Sequence, residues 1–172
     1  MKKVLAISGS IRKNSSSTQL IDLFSQLSKP DLSIELFEGL AALPYFNPDL
    51  TENPPDLVKV FCQKIKEAQG VLICSPEYVF SLPGVLKNAL EWTVASSDFV
   101  DKPAALILAS TSGEKAYESL CLIMKTLMAD FKNTSLLIKG ARAKLTKEGK
   151  LKDQEVLKHL NQVIDSFKKK MA

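Results

Sequence analysis

The sequence predicts a doubly wound α/β sandwich, a parallel β-sheet covered by helices on both faces. Three observations carry this prediction. Short runs that are apolar throughout recur along the chain, amphipathic stretches with helical spacing separate them, and polar or proline-rich segments connect the two. Strands lacking apolar–polar alternation are buried on both faces, and right-handed crossovers then place helices on each side of the sheet. With 172 residues, residues 1–172 are expected to form a single domain with one sizeable core.

Lys3–Ser8 is the first apolar run, followed by a polar loop and by Leu20, Leu23, Phe24 and Leu27 at helical spacing. Leu32–Phe37 alternates as a second strand, and Leu57–Ala68 has helical periodicity. Gly70–Cys74 is a continuous apolar third strand, and a helix is expected from Pro83 to about Val94, with the only Trp of the chain, Trp92, near its end. "AALILAS" supplies a fourth strand, Tyr117–Phe131 a helix, "TSLLIKG" a fifth strand, and Glu155–Phe167 the closing helix. Leu40–Pro55, with four prolines, is a long irregular connection, of the kind that tends to carry function.

Composition excludes several classes. Hydrophobic residues make up 45% and charged residues 24%, so neither disorder nor a fibrous architecture is indicated. A net charge of +4 is mild and its lysines are dispersed, clustering only at Lys168, Lys169 and Lys170, where a helix C-terminus favours hydrated cations. No nucleic-acid face and no membrane span is therefore expected. The apolar stretch Val4–Ile7 is too short for a signal-peptide core, which points to a cytoplasmic protein. Cys62, Cys74 and Cys121 are odd in number and lack metal-ligand spacing, so they are expected to be buried, inert thiols with no metal site. GxSxG is absent and the only histidine, His159, falls on the solvent face of the last helix, which disfavours a serine nucleophile.

In an open parallel sheet, ligands bind at the carboxyl ends of the strands, where the strand order reverses. The loop after the first strand, "SGSIRKNSSST", surrounds Arg12 with the hydroxyls of Ser10, Ser15, Ser16, Ser17 and Thr18 at the start of a helix. Unpaired helix N–H groups, short hydroxyls and a guanidinium together suit a monophosphate. An N-cap with a Ser-rich turn accounts for one or two of the hydroxyls, but leaves the accumulation and the arginine unexplained. Gly9 alone matches neither a dinucleotide fingerprint nor a triphosphate loop, so a terminal phosphate such as that of FMN fits best.

"GSIRKNSS", "LPYFNPDL", "SPEY" followed by "LPGVLKNALEW", "KPAALILAS" and "GARAKLTKEGKL" occur in the order and spacing of the NAD(P)H-dependent FMN reductases. The chain resembles this family, which includes quinone, azo-dye and chromate reductases, over nearly its whole length. The resemblance implies a flavodoxin-like three-layer sandwich with strand order 2-1-3-4-5. It implies an oxidoreductase, a flavoprotein with non-covalent FMN, with NADPH or NADH as co-substrate and a small-molecule electron acceptor, assembled as a homodimer or possible tetramer. Carried onto this chain, Ser10, Arg12, Ser15, Ser16 and Ser17 hold the phosphate and Thr18 caps nearby. Pro76, Glu77 and Tyr78 lie along the flavin ring, with Val79 a further contact through its backbone, and Ser110 to Gly113, Ser112 included, close its other edge. The chemistry then resides on FMN and no side chain is assigned as a catalytic acid.

Two departures stand out. Val79 and Phe80 replace the polar or small residues that often follow the tyrosine, and "STSGEKAY" is poorer in glycine than the family's loop after the fourth strand. Glu77 is expected to bond backbone or a neighbouring subunit and so fix the turn, and Lys115 to favour a reduced, anionic flavin. A flavodoxin-like electron carrier, or a flavin-binding module without nicotinamide turnover, is the alternative; carriers are usually strongly acidic, whereas this chain is basic.

Overall fold

A computed structural model describes residues 1–146 and 149–172. Five strands, β1 (Lys2–Ser8), β2 (Leu32–Leu36), β3 (Gly70–Ser75), β4 (Ala104–Ser110) and β5 (Ser135–Lys139), pair in parallel in the order β2-β1-β3-β4-β5. The helices are α1 (Ser16–Leu27), α2 (Asp56–Glu67), α3 (Gly84–Trp92), α4 (Glu114–Thr126), a short α5 (Ala141–Lys144) and α6 (Gln154–Lys170). Chain order reverses between β1 and β3, whose ends stand side by side with Ser8 opposite Cys74.

The central strands are buried on both faces, so successive residues serve opposite cores. Leu5, Ile7, Val71, Ile73, Leu106 and Leu108 pack with Phe61 of α2, Leu86 of α3 and Leu120 of α4. Val4, Ala6, Leu72, Cys74, Ala105 and Ile107 face the other way, against Leu20 and Phe24 of α1 and Leu160 and Phe167 of α6. Phe24 and Phe167 meet edge to face with ring centroids 6.1 Å apart. These two cores are the joints of a three-layer sandwich.

The elements match the expected ones except at three places. α4 starts at Glu114 and ends at Thr126, short of the expected Phe131, because Met128 turns left-handed with φ 60°. The N–H of Met128 reaches Lys125 O and that of Ala129 reaches Met124 O, a helix stop normally marked by glycine. α5 has no counterpart in the expected element order and follows Gly140, at φ 64°. The connection from Leu40 to Pro55 contains two 3₁₀ turns and is pinned to α3: Asn88 Nδ2 and Trp92 Nε1 both donate to Pro44 O at 2.9 Å. Phe46 stacks edge to face on Trp92 at 5.1 Å, so the tryptophan anchors this loop.

α6 is capped by Asp153, whose carboxylate accepts from the N–H groups of Glu155 and Val156. Lys144 pairs with the same carboxylate at 2.9 Å, and this bond, followed by the backbone one from Val156, holds the Asp153 carboxyl below the usual range. At the other end of α6, two lysines of the terminal cluster find acids: Lys168 pairs with Asp31 at 2.8 Å and Lys170 pairs with Asp130. His159 is exposed, as its helical position predicts.

Candidate flavin site

The carboxyl ends of the strands border a cleft of about 640 Å³, within the range of small-molecule and cofactor sites. Ser10, Arg12, Ser15, Ser16 and Ser17 line it from the β1–α1 turn, Pro76, Glu77 and Tyr78 from the end of β3, and Ser110 from β4. Thr111, within the expected stretch Ser110 to Gly113, lines it too, as do Asn14 and the segment Gly140–Ala143, which were not among the expected residues.

The turn after β1 shapes itself. The hydroxyl of Ser8 donates to Ser10 O at 3.0 Å, and the N–H of Arg12 donates to Ser10 Oγ at 3.3 Å. Ser15 is the N-cap of α1, accepting from the N–H of Thr18 at 3.2 Å, while Thr18 Oγ1 donates to Ser15 O at 2.9 Å. Two hydroxyls of the series, those of Ser15 and Thr18, are thus consumed by capping. Thr18 is turned into this cap and stands outside the cleft lining.

Ser10 Oγ is likewise engaged, by the N–H of Arg12 and the hydroxyl of Tyr78, whereas Ser17 is not drawn into the turn. Ser17 is 1% exposed, and among the described residues its hydroxyl has no oxygen or nitrogen partner and only the Cys74 thiol beside it. Helix geometry leaves the N–H groups of Ser16 and Ser17 without intrahelical acceptors, and the first turn of α1 carries no acidic residue. A buried orphan hydroxyl beside free amides and a guanidinium suits a phosphate, so the residues present fit the tail of FMN. Beside Ser17, the thiol of Cys74 is pushed up to about 12 by burial, with a smaller opposing effect from the Ser17 hydroxyl. It remains a thiol and takes no part as a nucleophile. Cys62 and Cys121 are half-buried rather than fully buried; both are free thiols raised chiefly by burial.

Glu77 has a structural task that its position in the chain does not reveal. Its Oε1 accepts from Ser112 Oγ at 3.1 Å and from the Gly113 N–H at 3.3 Å, while Oε2 accepts from the Ala116 N–H at 3.1 Å. Gly113, the residue before α4, provides no cap of its own. The carboxylate therefore caps α4 from the neighbouring loop and ties the two walls of the cleft together. This explains why Ser112 and Gly113 lie outside the cleft lining: they face Glu77, leaving Ser110 and Thr111 at the edge. Glu77→Ala is expected to destabilise the protein by about 1–2 kcal/mol, with Glu77→Gln retaining part of the loss. Chemical denaturation of the three proteins checks that order, and equal stabilities would remove the cap assignment.

Tyr78 completes the lip, its hydroxyl 3.5 Å from Ser10 Oγ. Tyr78 and Ser81 exchange backbone hydrogen bonds at 2.9 and 3.0 Å around Val79 and Phe80, which have φ of 51° and 57°. Two left-handed residues define a tight hairpin turn that favours Asn–Gly, so a β-branched valine is strained there. Val79 is 94% exposed at the tip, away from the cleft. Lys115 also stands outside the lining and pairs with Glu118 at 3.0 Å. Glu35, near the second strand, pairs with Lys64 of α2.

A parallel sheet in this strand order, with a serine-rich turn after the first strand opening on a cleft at the carboxyl ends of the strands, defines a flavodoxin-like protein. Within that class, the chain belongs to the NADPH-dependent FMN reductase family, whose profile matches residues 2–141. A 2-hydroxy-1,4-benzoquinone reductase from a Burkholderia species is 27% identical over 96% of this chain and 93% of its own length. An NADPH:quinone oxidoreductase of Arabidopsis thaliana is 44% identical over 64% of this chain and 58% of its own. Among solved structures, the flavoenzyme NAD(P)H:(acceptor) oxidoreductase FerB of Paracoccus denitrificans superposes with a TM-score of 0.76 at 24% identity, covering 99% of this chain and 97% of that one.

No helix among the described residues is long and apolar enough to cross a membrane. Gly140–Ala143 is the stretch of the cleft lining that residue patterns missed. Its signal was a glycine at the end of the fifth strand followed by a basic residue, within "GARAKLTKEGKL". Lys147 and Glu148 of that motif lie outside the described residues.

Proposed function

We propose that residues 1–172 form one flavodoxin-like domain that binds FMN, accepts a hydride from NADPH or NADH, and reduces small acceptors such as quinones. The observation that carries this reading is the cleft itself, which Arg12, without an acid partner among the described residues, and the buried Ser17 line together with Pro76, Glu77 and Tyr78. When bound, FMN supplies the two-electron hydride chemistry. The chain's own groups then have simpler tasks. Arg12, Ser10, Ser16 and Ser17 hold the phosphate, Pro76 stiffens the chain at the ring edge, and Glu77 fixes the spacing between the two walls.

Quinones are supported as acceptors by the relatives named for quinone reduction, and the family supports turnover with nicotinamide over an electron-carrier role. A homodimer is supported by apolar side chains that stand in solvent, Tyr45 at 91%, Val79 at 94% and Phe80 at 74% exposure, surface that a second subunit would cover. We place the enzyme in the cytoplasm. The test is the oxidation of NADPH and NADH by the FMN-loaded protein with a quinone present. Turnover that requires FMN is expected; bound FMN with no oxidation of either nucleotide would favour a carrier.

A further inference from the structure

We infer that Arg142 is the second guanidinium of the phosphate site, reaching it from the β5 side while Arg12 reaches it from the β1 side. The inference rests on the reading of the cleft as an FMN site. Arg142 lies on α5 and lines the same cleft as Arg12 and Ser15–Ser17. The chain returning from α5 comes close to the first turn of α1, where a Cβ added at Gly149 would sit 3.3 Å from Gln19 Cβ. The N–H of Gly140 donates to Thr111 O at 3.1 Å, which ties the start of α5 to the β4 wall of the cleft.

Charge singles out Arg142 from its neighbours. Lys139 is paired with Glu114 and Lys144 with Asp153 at 2.9 Å, whereas Arg142 has no acid partner among the described residues, and neither has Arg12. Glu77, the carboxylate lining the cleft, has both oxygens engaged by the start of α4. The cleft therefore carries two uncompensated guanidinium groups. A phosphate monoester near neutral pH carries between one and two negative charges and offers three acceptor oxygens, enough for both. Each arginine can take two of its hydrogen bonds there without competing for the amides of Ser16 and Ser17.

Titration of the flavin-free protein with FMN and with riboflavin, followed by quenching of flavin fluorescence, separates the phosphate contribution from that of the ring. Arg142→Ala is expected to weaken FMN binding about tenfold or more and to leave riboflavin binding unchanged, with thermal stability held because the side chain is exposed. An equal loss for both flavins would assign Arg142 to the fold of the cleft instead. Unchanged FMN affinity with a raised KM for NADPH, but not for NADH, would assign it to the nucleotide's 2′-phosphate. Either result overturns the inference. Failure of the unaltered protein to bind FMN at all would overturn the reading beneath it.

Discussion

Gly113→Ala is expected to destabilise the protein by about 2–4 kcal/mol and to disturb the cleft from its β4 side. Gly113 sits at φ 89°, where any L-residue is strained, and the added Cβ would lie 2.7 Å from Leu108 Cδ2 and 2.9 Å from Leu137 Cδ1. Leu108 is fully buried, so its methyl can yield only by repacking against its core neighbours. The glycine N–H also donates to Glu77 and its carbonyl accepts from the N–H of Tyr117 at 2.9 Å, so a shift here loosens the cap and the first turn of α4 together. Gly140→Ala provides the control: φ is 64° but nothing lies within 4 Å of the new Cβ. That variant is expected to lose only about 1–2 kcal/mol. Urea unfolding of both proteins at an unchanged m-value measures the difference. Equal losses would mean that backbone strain alone, and not packing against Leu108, decides the position.

Arg12→Ala is expected to weaken FMN binding by about 1.5–3 kcal/mol, the usual loss for a charge-assisted hydrogen bond. Arg12 is exposed and its guanidinium has no acid partner among the described residues, so its removal leaves no buried charge behind and little change in stability is expected. Its effect should be electrostatic as well as directional. FMN affinity of the unaltered protein is expected to fall as salt is raised, and that of the variant to fall less. A variant that binds FMN as tightly as the parent at low salt would displace the phosphate from this turn.

Much of this architecture was legible in the chain because strands buried on both faces and helices buried on one leave local patterns. The apolar run of Gly70–Ser75 and the 3.6-residue spacing of Leu20, Phe24 and Leu27 needed no knowledge of their partners. The turn proposed to hold the phosphate drew attention for a related reason: parallel sheets bind ligands at their carboxyl ends, and the loop after the first strand carries Ser10, Ser15, Ser16, Ser17, Thr18 and Arg12.

What only the tertiary structure decided were the contacts between segments distant in sequence. Glu77 acts on groups 35 to 39 residues away, and no spacing rule links a carboxylate after β3 to the amides that open α4. Trp92 holds Pro44 across 48 residues, a brace that no local pattern in the loop announces. α4 stops at Met128 without the glycine that usually announces such a turn. Arg142, from the end of β5, joins Arg12, from the start of the chain, only because the sheet brings the carboxyl ends of its strands to one edge. Local periodicity fixes which surfaces a segment must bury; the directional bonds that shape a binding site are made between segments, and they exist only once those surfaces have been buried.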